Sequence, residues 1–269
     1  GAWFYLEPER ASEFFLKHGE TTILPTLYFN LDYNTTMEGV KSIKNASLSG
    51  AGRVMAGLYM EGPYMNTKYG YDNKNIKWKE NIDPKEYESL VDYIGDFVKV
   101  WCVAPERENI EKFMQYAQKV NPRAVFSIGH SVATPEQIYK LKKYGLCNET
   151  HHCNNGLVEG PARGTKGVGP DEVCLYDSDI YAELICDSKG IHMHPFMLKL
   201  VVRIKGTDRV ILITDSCPFD GMAREGVAYS PDLGYDSEGH LAGSKLTMDL
   251  ACRNMMKHTG YGLCHVIRF

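Results

Sequence analysis

The stretch Val210-Ile211-Leu212-Ile213-Thr214-Asp215 determines how we interpret the rest of the chain. It is a short run of apolar, mostly β-branched residues that ends at a lone carboxylate. A continuous apolar run of this length is typical of a strand that is buried on both faces, as in a parallel sheet covered by helices. A carboxylate at the carboxyl end of such a strand lies where α/β barrel proteins hold their catalytic groups.

Three further strand-like runs end at an ionisable side chain in the same way. They are residues 55–60 before Glu61, residues 124–129 before His130, and residues 146–150 before His151. The carboxyl ends of neighbouring parallel strands meet at one edge of a sheet. We therefore predict that these three side chains and Asp215 form a single site.

Segments with helical periodicity alternate with short β-rich runs along the chain. Helices are predicted over residues 7–18, 34–48, 83–94, 109–119, 134–144, 195–204 and 247–258. Strands are predicted over residues 21–27, 53–60, 98–103, 124–128, 146–150, 181–186 and 210–214. A Gly-rich loop over residues 154–170 and a small hairpin over residues 235–241 interrupt this pattern.

The alternation predicts a parallel sheet with helices outside it. A closed barrel of this type has eight strands, and the sequence predicts seven. We therefore predict an α/β fold, a (β/α)8 barrel of the TIM type, incomplete because its first strand is missing. It forms a single catalytic barrel domain over residues 1–269 that is truncated at both ends.

Composition excludes several classes of protein. The net charge of the 269 residues is only -4 and favours neither a nucleic-acid nor a membrane partner. No run approaches the ~20 apolar residues of a membrane span. The eight cysteines have no disulfide-framework spacing and include no Cys-x-x-Cys pair. We therefore expect reduced thiols in a cytoplasmic protein, and no thiolate zinc site.

The four predicted site residues suit metal-assisted hydrolysis. Glu61, His130 and His151 offer one carboxylate oxygen and two imidazole nitrogens, which leaves a coordination position open on a hydrolytic metal. A bound divalent metal lowers the pKa of water to about 7, and Asp215 can take the proton and return it to the leaving group. Taken singly, each residue has an ordinary structural explanation. Their shared position at strand ends favours the metal site, with zinc as the first expectation and iron or manganese as alternatives.

Other polar residues near these strand ends suggest a substrate. Arg163 in the Gly-rich loop and the pair Asn154 and Asn155 suit a phosphate or another oxyanion. On its own, Arg163 is better explained as a solvated side chain. His152 points to the face opposite His151 in an extended segment and is predicted to be structural.

Six short segments occur in an order that resembles one known family. They are residues 58–66 (LYMEGPYMN), 128–134 (IGHSVAT), 150–154 (THHCN), 187–192 (DSKGIH), 213–215 (ITD) and 241–248 (LAGSKLTM). Together they resemble the N-acetylglucosamine-6-phosphate deacetylases of the amidohydrolase superfamily, over nearly the whole chain. The combination is specific, although each segment alone is weak.

The resemblance implies a (β/α)8 barrel of the metal-dependent hydrolase kind. The implied reaction is hydrolysis of the acetamide of N-acetylglucosamine 6-phosphate to glucosamine 6-phosphate and acetate. By position, Glu61, His130 and His151 would be metal ligands, and Asp215 the general base and then the acid. The positions that match sugar-phosphate contacts are Asn154, the backbone at Asn155, Arg163, His192, Leu241, Ala242 and Gly243. The family works as a homodimer in which such contacts can cross between subunits.

Three features depart from the family pattern. Family members carry a histidine shortly after the Glu-Gly-Pro loop, where this chain has Gly70-Tyr71-Asp72, and an ionised Asp72 can only accept hydrogen bonds. The His-x-His pair of the first barrel strand is absent, and the small β-sandwich domain has no counterpart. Two alternatives therefore stay open. One is an amidohydrolase acting on a different N-acyl sugar or cyclic amide, and the other is a non-catalytic sugar-phosphate-binding barrel.

Overall fold

The computed structural model describes residues 3–28, 31–66, 68–69 and 81–269. The predicted loop positions Gly70, Tyr71 and Asp72 lie outside these ranges. Seven strands form one curled, barrel-like parallel sheet in which each strand pairs with the next along the chain. The strands are β1 (Thr26–Tyr28), β2 (Leu58–Glu61), β3 (Val98–Val103), β4 (Val125–Ile128), β5 (Leu146–Glu149), β6 (Tyr181–Ile185) and β7 (Val210–Ile213). The predicted set of seven parallel strands is confirmed.

Helices connect these strands and pack against the sheet through a common hydrophobic core. They are α1 (Pro8–Lys17), α2 (Tyr33–Ala46), α3 (Pro84–Ile94), α4 (Ile110–Val120), α5 (Pro135–Leu141), α6 (Pro170–Tyr176), α7 (Pro195–Lys205), α8 (Met248–Thr259) and α9 (Leu263–Val266). Within the described ranges, none of the helices has both the length and the apolar character needed to cross a membrane.

The second strand is shorter than its apolar run predicts. The predicted strand over residues 53–60 begins only at Leu58, because a 3-10 helix (Gly50–Val54) precedes it. Gly52 permits this tight turn, since a Cβ at that position would lie 2.0 Å from the carbonyl oxygen of Ala46. The close approach of two backbones therefore overrides the strand preference of the residues that follow.

Helix α6 was not predicted from the sequence. It has only seven residues and directly follows the predicted Gly-rich loop. Pro170 occupies its first turn, and the side chain of Glu172 accepts a hydrogen bond from the backbone N–H of Gly169 at 2.9 Å. These two N-terminal signals are present in the sequence, but the helix is too short to show a clear periodicity.

The apolar face of α4 shows how the core is built. Its buried side chains follow helical spacing along one face: Ile110, Phe113, Met114 and Ala117. The ring of Phe113 meets those of Tyr64 and Trp101 edge-on, with centroids 5.0 and 5.2 Å away. Phe113 therefore links the helix layer to β3 and to the segment after β2.

A two-stranded antiparallel hairpin follows β7, as predicted. It consists of β8 (Leu233–Tyr235) and β9 (Leu241–Ser244). The backbone N–H of Ser244 donates a hydrogen bond to the carbonyl oxygen of Asp215 at 2.8 Å. This bond attaches the hairpin to the carboxyl end of β7.

Phe113→Ala is expected to lower the free energy of unfolding by about 3–5 kcal/mol, because it removes a fully buried ring and leaves a cavity. Urea denaturation followed by circular dichroism measures this change. Phe196→Ala is the matched control, because Phe196 is 66% exposed and its loss should cost less than about 0.5 kcal/mol. Equal effects of the two substitutions would contradict the assigned core.

Candidate metal centre

The side chains of Glu61, His130 and His151 converge at the carboxyl end of the sheet. Nε2 of His130 lies 3.0 Å from Oε1 of Glu61, and Nε2 of His151 lies 3.3 Å from the same oxygen. The two Nε2 atoms are 3.1 Å apart. All three side chains are nearly buried, with at most 12% of each exposed. Residues separated by up to 90 positions in the chain therefore present their polar atoms to one point.

The backbone adopts the same unusual conformation at three strand ends. The φ angle is 45° at His130, 34° at His151 and 47° at Asp215. Each of these residues is the second one after its strand, β4, β5 or β7. Non-glycine residues rarely have positive φ, and strain of this kind, about 1–3 kcal/mol per residue, is typical of functional sites. This conformation turns the backbone after β4, β5 and β7, at the edge of the sheet where the side chains meet.

The chemistry and spacing of the three donors fit a divalent metal. One carboxylate oxygen with two imidazole nitrogens is a donor set of catalytic zinc sites. Donors around a tetrahedral zinc at about 2.0–2.1 Å lie about 3.3 Å apart. The observed separations of 3.0 to 3.3 Å are close to this value. The described part of the chain thus contains a Glu/His/His cluster that can hold a metal ion.

The ionisation of the cluster suits that role. Burial raises the pKa of Glu61, but the hydrogen bonds and positive charge of the two histidines outweigh burial and lower it to about 2. Burial lowers the pKa of His130. Burial acts in the same direction on His151, but the hydrogen bond and charge of Glu61 prevail and raise its pKa to about 9. An ionised Glu61 and a neutral His130 are the forms that bind metals, and a metal would have to displace the proton of His151.

Asp215 belongs to the same electrostatic environment. Its carboxylate interacts with the charges of Glu61, His151 and His192. Burial, followed by repulsion from Glu61, raises the pKa of Asp215 to about 6. A carboxylate with a raised pKa is a stronger base than an exposed one and is still ionised at neutral pH. The structure thus brings together the four residues that the sequence predicts as one site.

Strand β9 of the hairpin lies against Asp215. Gly243 has a φ of 62°, and a Cβ there would lie 2.8 Å from the backbone oxygen of Asp215. Both the conformation and the close approach require glycine. Gly243, with Leu241 and Ala242 before it in β9, therefore lies next to Asp215. A role of these three residues in substrate binding stays a prediction.

Asp187 holds the loop that carries His192. Its buried carboxylate accepts backbone hydrogen bonds from Lys189, Ile191 and His192, at 3.0, 3.0 and 2.8 Å. Nδ1 of His192 lies 3.6 Å from Oδ2 of Asp187, within reach of charge attraction. The side chain of His192 is only 5% exposed. Asp187 therefore fixes a residue that itself interacts with the charge on Asp215.

The other predicted substrate-binding residues, Asn154, Asn155 and Arg163, differ in burial and in hydrogen bonding. Oδ1 of Asn155 accepts a hydrogen bond from the backbone N–H of His130 at 2.7 Å, so this side chain supports a candidate ligand. Asn154 is half-buried in the turn after His151. Arg163 is exposed, and no hydrogen bond or ion pair among the described residues joins it to the cluster. The roles of these residues in substrate binding stay predictions.

A buried polar network next to the cluster was not predicted. Glu183 on β6 accepts hydrogen bonds from Nδ2 of Asn148 at 2.5 Å and from the hydroxyl of Tyr59 at 3.2 Å. The Tyr59 hydroxyl also lies 2.6 Å from Oγ1 of Thr150. Burial raises the pKa of Glu183 to about 7. The signals in the sequence were the polar groups of Tyr59, Asn148 and Glu183 within predicted strands.

Fold and site define a barrel-like α/β protein with a candidate metal centre at the carboxyl ends of its parallel strands. No family model matches the chain. It is 32% identical to the N-acetylglucosamine-6-phosphate deacetylase of Lysinibacillus sphaericus, over 79% of this chain and 54% of that protein. It is 30% identical to the N-acetylgalactosamine-6-phosphate deacetylase of Escherichia coli O157:H7, over 78% of this chain and 55% of that protein. The chain is a homologue of these sugar-phosphate deacetylases and spans about half their length.

Solved structures agree with this relationship. The N-acetylglucosamine-6-phosphate deacetylase of Thermotoga maritima is 28% identical, with a TM-score of 0.77, over 96% of this chain and 69% of that one. The corresponding enzyme of Mycobacterium smegmatis is 25% identical, with a TM-score of 0.80, over 97% and 69% of the two chains. The resemblance predicted from the sequence is therefore confirmed.

Asp187→Asn is expected to lower the free energy of unfolding at neutral pH by about 2 kcal/mol, because a buried anion that accepts several N–H groups is lost. Burial raises the pKa of Asp187, but its interaction with His192 and the backbone hydrogen bonds outweigh burial and lower it to about 2. The folded-state pKa thus lies below the unfolded value of about 3.9. The carboxylate contributes its stability in full above about pH 5, and this contribution is lost as the pH falls towards 2.

Urea denaturation between pH 7 and pH 3 checks this expectation. The stability difference between wild type and Asp187→Asn should narrow as the pH falls. Asp220→Asn, at an exposed loop position, is the control and should show no such difference. A difference that stays constant with pH would show that the charge of Asp187 is not the cause.

Proposed function

We propose that this chain is the catalytic barrel domain of a metal-dependent deacetylase of the amidohydrolase type. Its reaction is hydrolysis of the acetamide of N-acetylglucosamine 6-phosphate, which gives glucosamine 6-phosphate and acetate. The observation that carries the proposal is the convergence of Glu61, His130 and His151 within 3.3 Å, in the electrostatic reach of Asp215. The names of the homologous proteins support the same reaction.

The chemistry divides between a metal and Asp215. A divalent ion held by Glu61, His130 and His151 would polarise the acetamide carbonyl and lower the pKa of water. Asp215 accepts a proton from the attacking water and donates it to the nitrogen of the leaving amine. Burial suits it to both steps, because a carboxyl group with a pKa of about 6 gains and loses a proton near neutral pH.

Substrate binding involves the residues that surround Asp215. His192 and Gly243 of β9 limit the space next to the base, and Asn154 lies in the turn after the proposed ligand His151. Arg163 provides the positive charge for the 6-phosphate from its exposed loop. We also propose that the protein forms a homodimer and that some substrate contacts cross between its subunits.

The proposed enzyme has a complete barrel, a bound metal and a cytoplasmic location. The seven strands are part of a (β/α)8 barrel of the metal-dependent hydrolase kind. Zinc is the proposed metal, with iron or manganese as alternatives, because carboxylate and imidazole ligands accept all three. A cytoplasmic location is proposed for the same enzyme.

A second candidate substrate is N-acetylgalactosamine 6-phosphate. Two relatives at 30% identity are named as deacetylases of this epimer. The reaction and the metal centre are unchanged, so only contacts to the sugar hydroxyls distinguish the two substrates. Assays of both sugars with the full-length protein, with metal quantified in the same sample, decide between them. Activity on neither sugar, in a metal-loaded sample, would favour another N-acyl sugar, a cyclic amide or a non-catalytic barrel.

Asp215→Asn is expected to lower kcat by about 100-fold or more while the metal content stays the same, because an amide cannot accept the proton of the water. Glu61→Gln is the complementary variant and should lose the metal ion of this centre as well as activity. Steady-state kinetics and elemental analysis of the same preparations test both. Turnover at the wild-type rate in metal-loaded Asp215→Asn would refute the role of Asp215.

Arg163→Ala is expected to raise KM for the 6-phosphorylated sugar by about 10-fold or more and to leave kcat/KM for the unphosphorylated sugar unchanged, because a charged hydrogen bond to phosphate is lost. Arg123→Ala is the matched control, since this exposed arginine precedes β4 at the opposite end of the sheet. An equal loss with both sugars would contradict a phosphate contact.

A further inference from the structure

A second group of side chains that could bind a metal ion lies at the carboxyl end of β5, in the turn that follows it and on α6. One ligand atom from each of Glu149, His152 and Cys174 falls within 4.8 Å of the others. His152 is also grouped, within the same limit, with Cys153 and Asp171. The described residues thus place sulfur, nitrogen and oxygen donors around one imidazole. We call these five residues the rear cluster.

The rear cluster is separate from the centre formed by Glu61, His130 and His151. His152 directly follows His151, but the two rings have different partners, because His151 contacts Glu61 and His152 contacts Glu149. The segment is a turn and not an extended strand, so the turn, with its positive φ at His151, separates the two rings. Nδ1 of His152 contacts Oε2 of Glu149 and lies 3.9 Å from Oδ1 of Asp171. The sequence predicts His152 to be structural, and its burial agrees with a role in the interior rather than at the substrate site.

The centre of the rear cluster is fully buried. Glu149, His152 and Cys174 are each 0% exposed. Nδ1 of His152 faces Oε2 of Glu149, while the opposite ring nitrogen, Nε2, has no hydrogen-bond partner among the described residues. A metal ion bound at Nδ1 in place of its proton would contact Glu149 at the same time and would offset the charge of this buried carboxylate.

The lack of a Cys-x-x-Cys pair predicts that the protein has no thiolate zinc site. The fold removes this objection, because α6 brings Cys174 to a histidine 22 positions earlier in the chain. Donors around a tetrahedral zinc with one sulfur lie about 3.3–3.8 Å apart, so side-chain movements of about 1 Å would complete the set. Thiolate, imidazole and carboxylate together select zinc or a similar borderline metal over magnesium or calcium.

We propose that the rear cluster is a second metal site, structural in role, which takes a zinc-like divalent ion through Glu149, His152 and Cys174, with Asp171 or Cys153 as the fourth ligand. The ion joins β5 and α6 across the turn that contains His151. It therefore holds that turn and the start of α6 in place. The proposal does not depend on the deacetylase activity.

Cobalt(II) binding to the full-length protein tests this proposal. A thiolate–cobalt bond gives a charge-transfer absorption in the near ultraviolet, which oxygen and nitrogen ligands do not give. Metal-free protein is titrated with cobalt, and bound metal per chain is measured after gel filtration. Wild type should bind two ions and show the thiolate absorption. Glu61→Gln should bind one ion and keep the absorption in full.

Cys174→Ser should bind one ion and lose the thiolate absorption, while Cys147→Ser should behave as wild type. Cys147 is the matched control, because it lies on β5 together with Glu149 but does not belong to the rear cluster. A single ion in wild type that Glu61→Gln abolishes, or a thiolate absorption of unchanged intensity in Cys174→Ser, would overturn the proposal. Should Cys174→Ser fail to fold, the thiolate absorption in Glu61→Gln still decides the question, because its absence would exclude the site.

Discussion

The structure depends on keeping one carboxylate and two imidazoles in contact inside the protein. Transfer of an ionised Glu61 from water to the interior is costly unless a positive charge or several donors accompany it. His130 and His151 supply this compensation, which is why the pKa of Glu61 falls although burial acts in the opposite direction. Removal of either imidazole would therefore leave Glu61 with less compensation for its burial.

Hydrogen bonds from side chains outside the cluster fix the segments that carry its residues. Glu106, after β3, accepts hydrogen bonds from Asn66, Ser131 and Val132 at 2.8, 2.6 and 2.9 Å. Asn155 accepts one from the backbone of His130. The segments that follow β2, β3, β4 and β5 are thus joined to one another by polar contacts. A local change in any of them would move a candidate ligand, so the positions around the cluster should tolerate less variation than their exposure suggests.

The sequence predicts the sheet and the four central residues because both follow from short-range patterns. Apolar runs identify buried parallel strands, and the topology of such a sheet brings their carboxyl ends to one edge. Side-chain pairs between distant strands are not encoded in this way. The contact of Glu183 with Tyr59 depends on strand register, and that of His152 with Cys174 depends on a short helix without clear periodicity. Arg163 shows the other limit, because an exposed side chain leaves no pattern that distinguishes a phosphate contact from a solvated charge.

The positive φ angles of His130, His151 and Asp215 have a consequence for how this protein can change. Glycine would adopt the same conformation without strain, so each of these side chains is kept at an energetic disadvantage of about 1–3 kcal/mol. Backbone strain therefore coincides with three of the four residues of the proposed site. Glycine in place of His130 or His151 would relieve this strain but would leave the buried Glu61 without a compensating partner. The backbone strain at the two histidines therefore persists because the loss of either side chain would cost more than the strain itself.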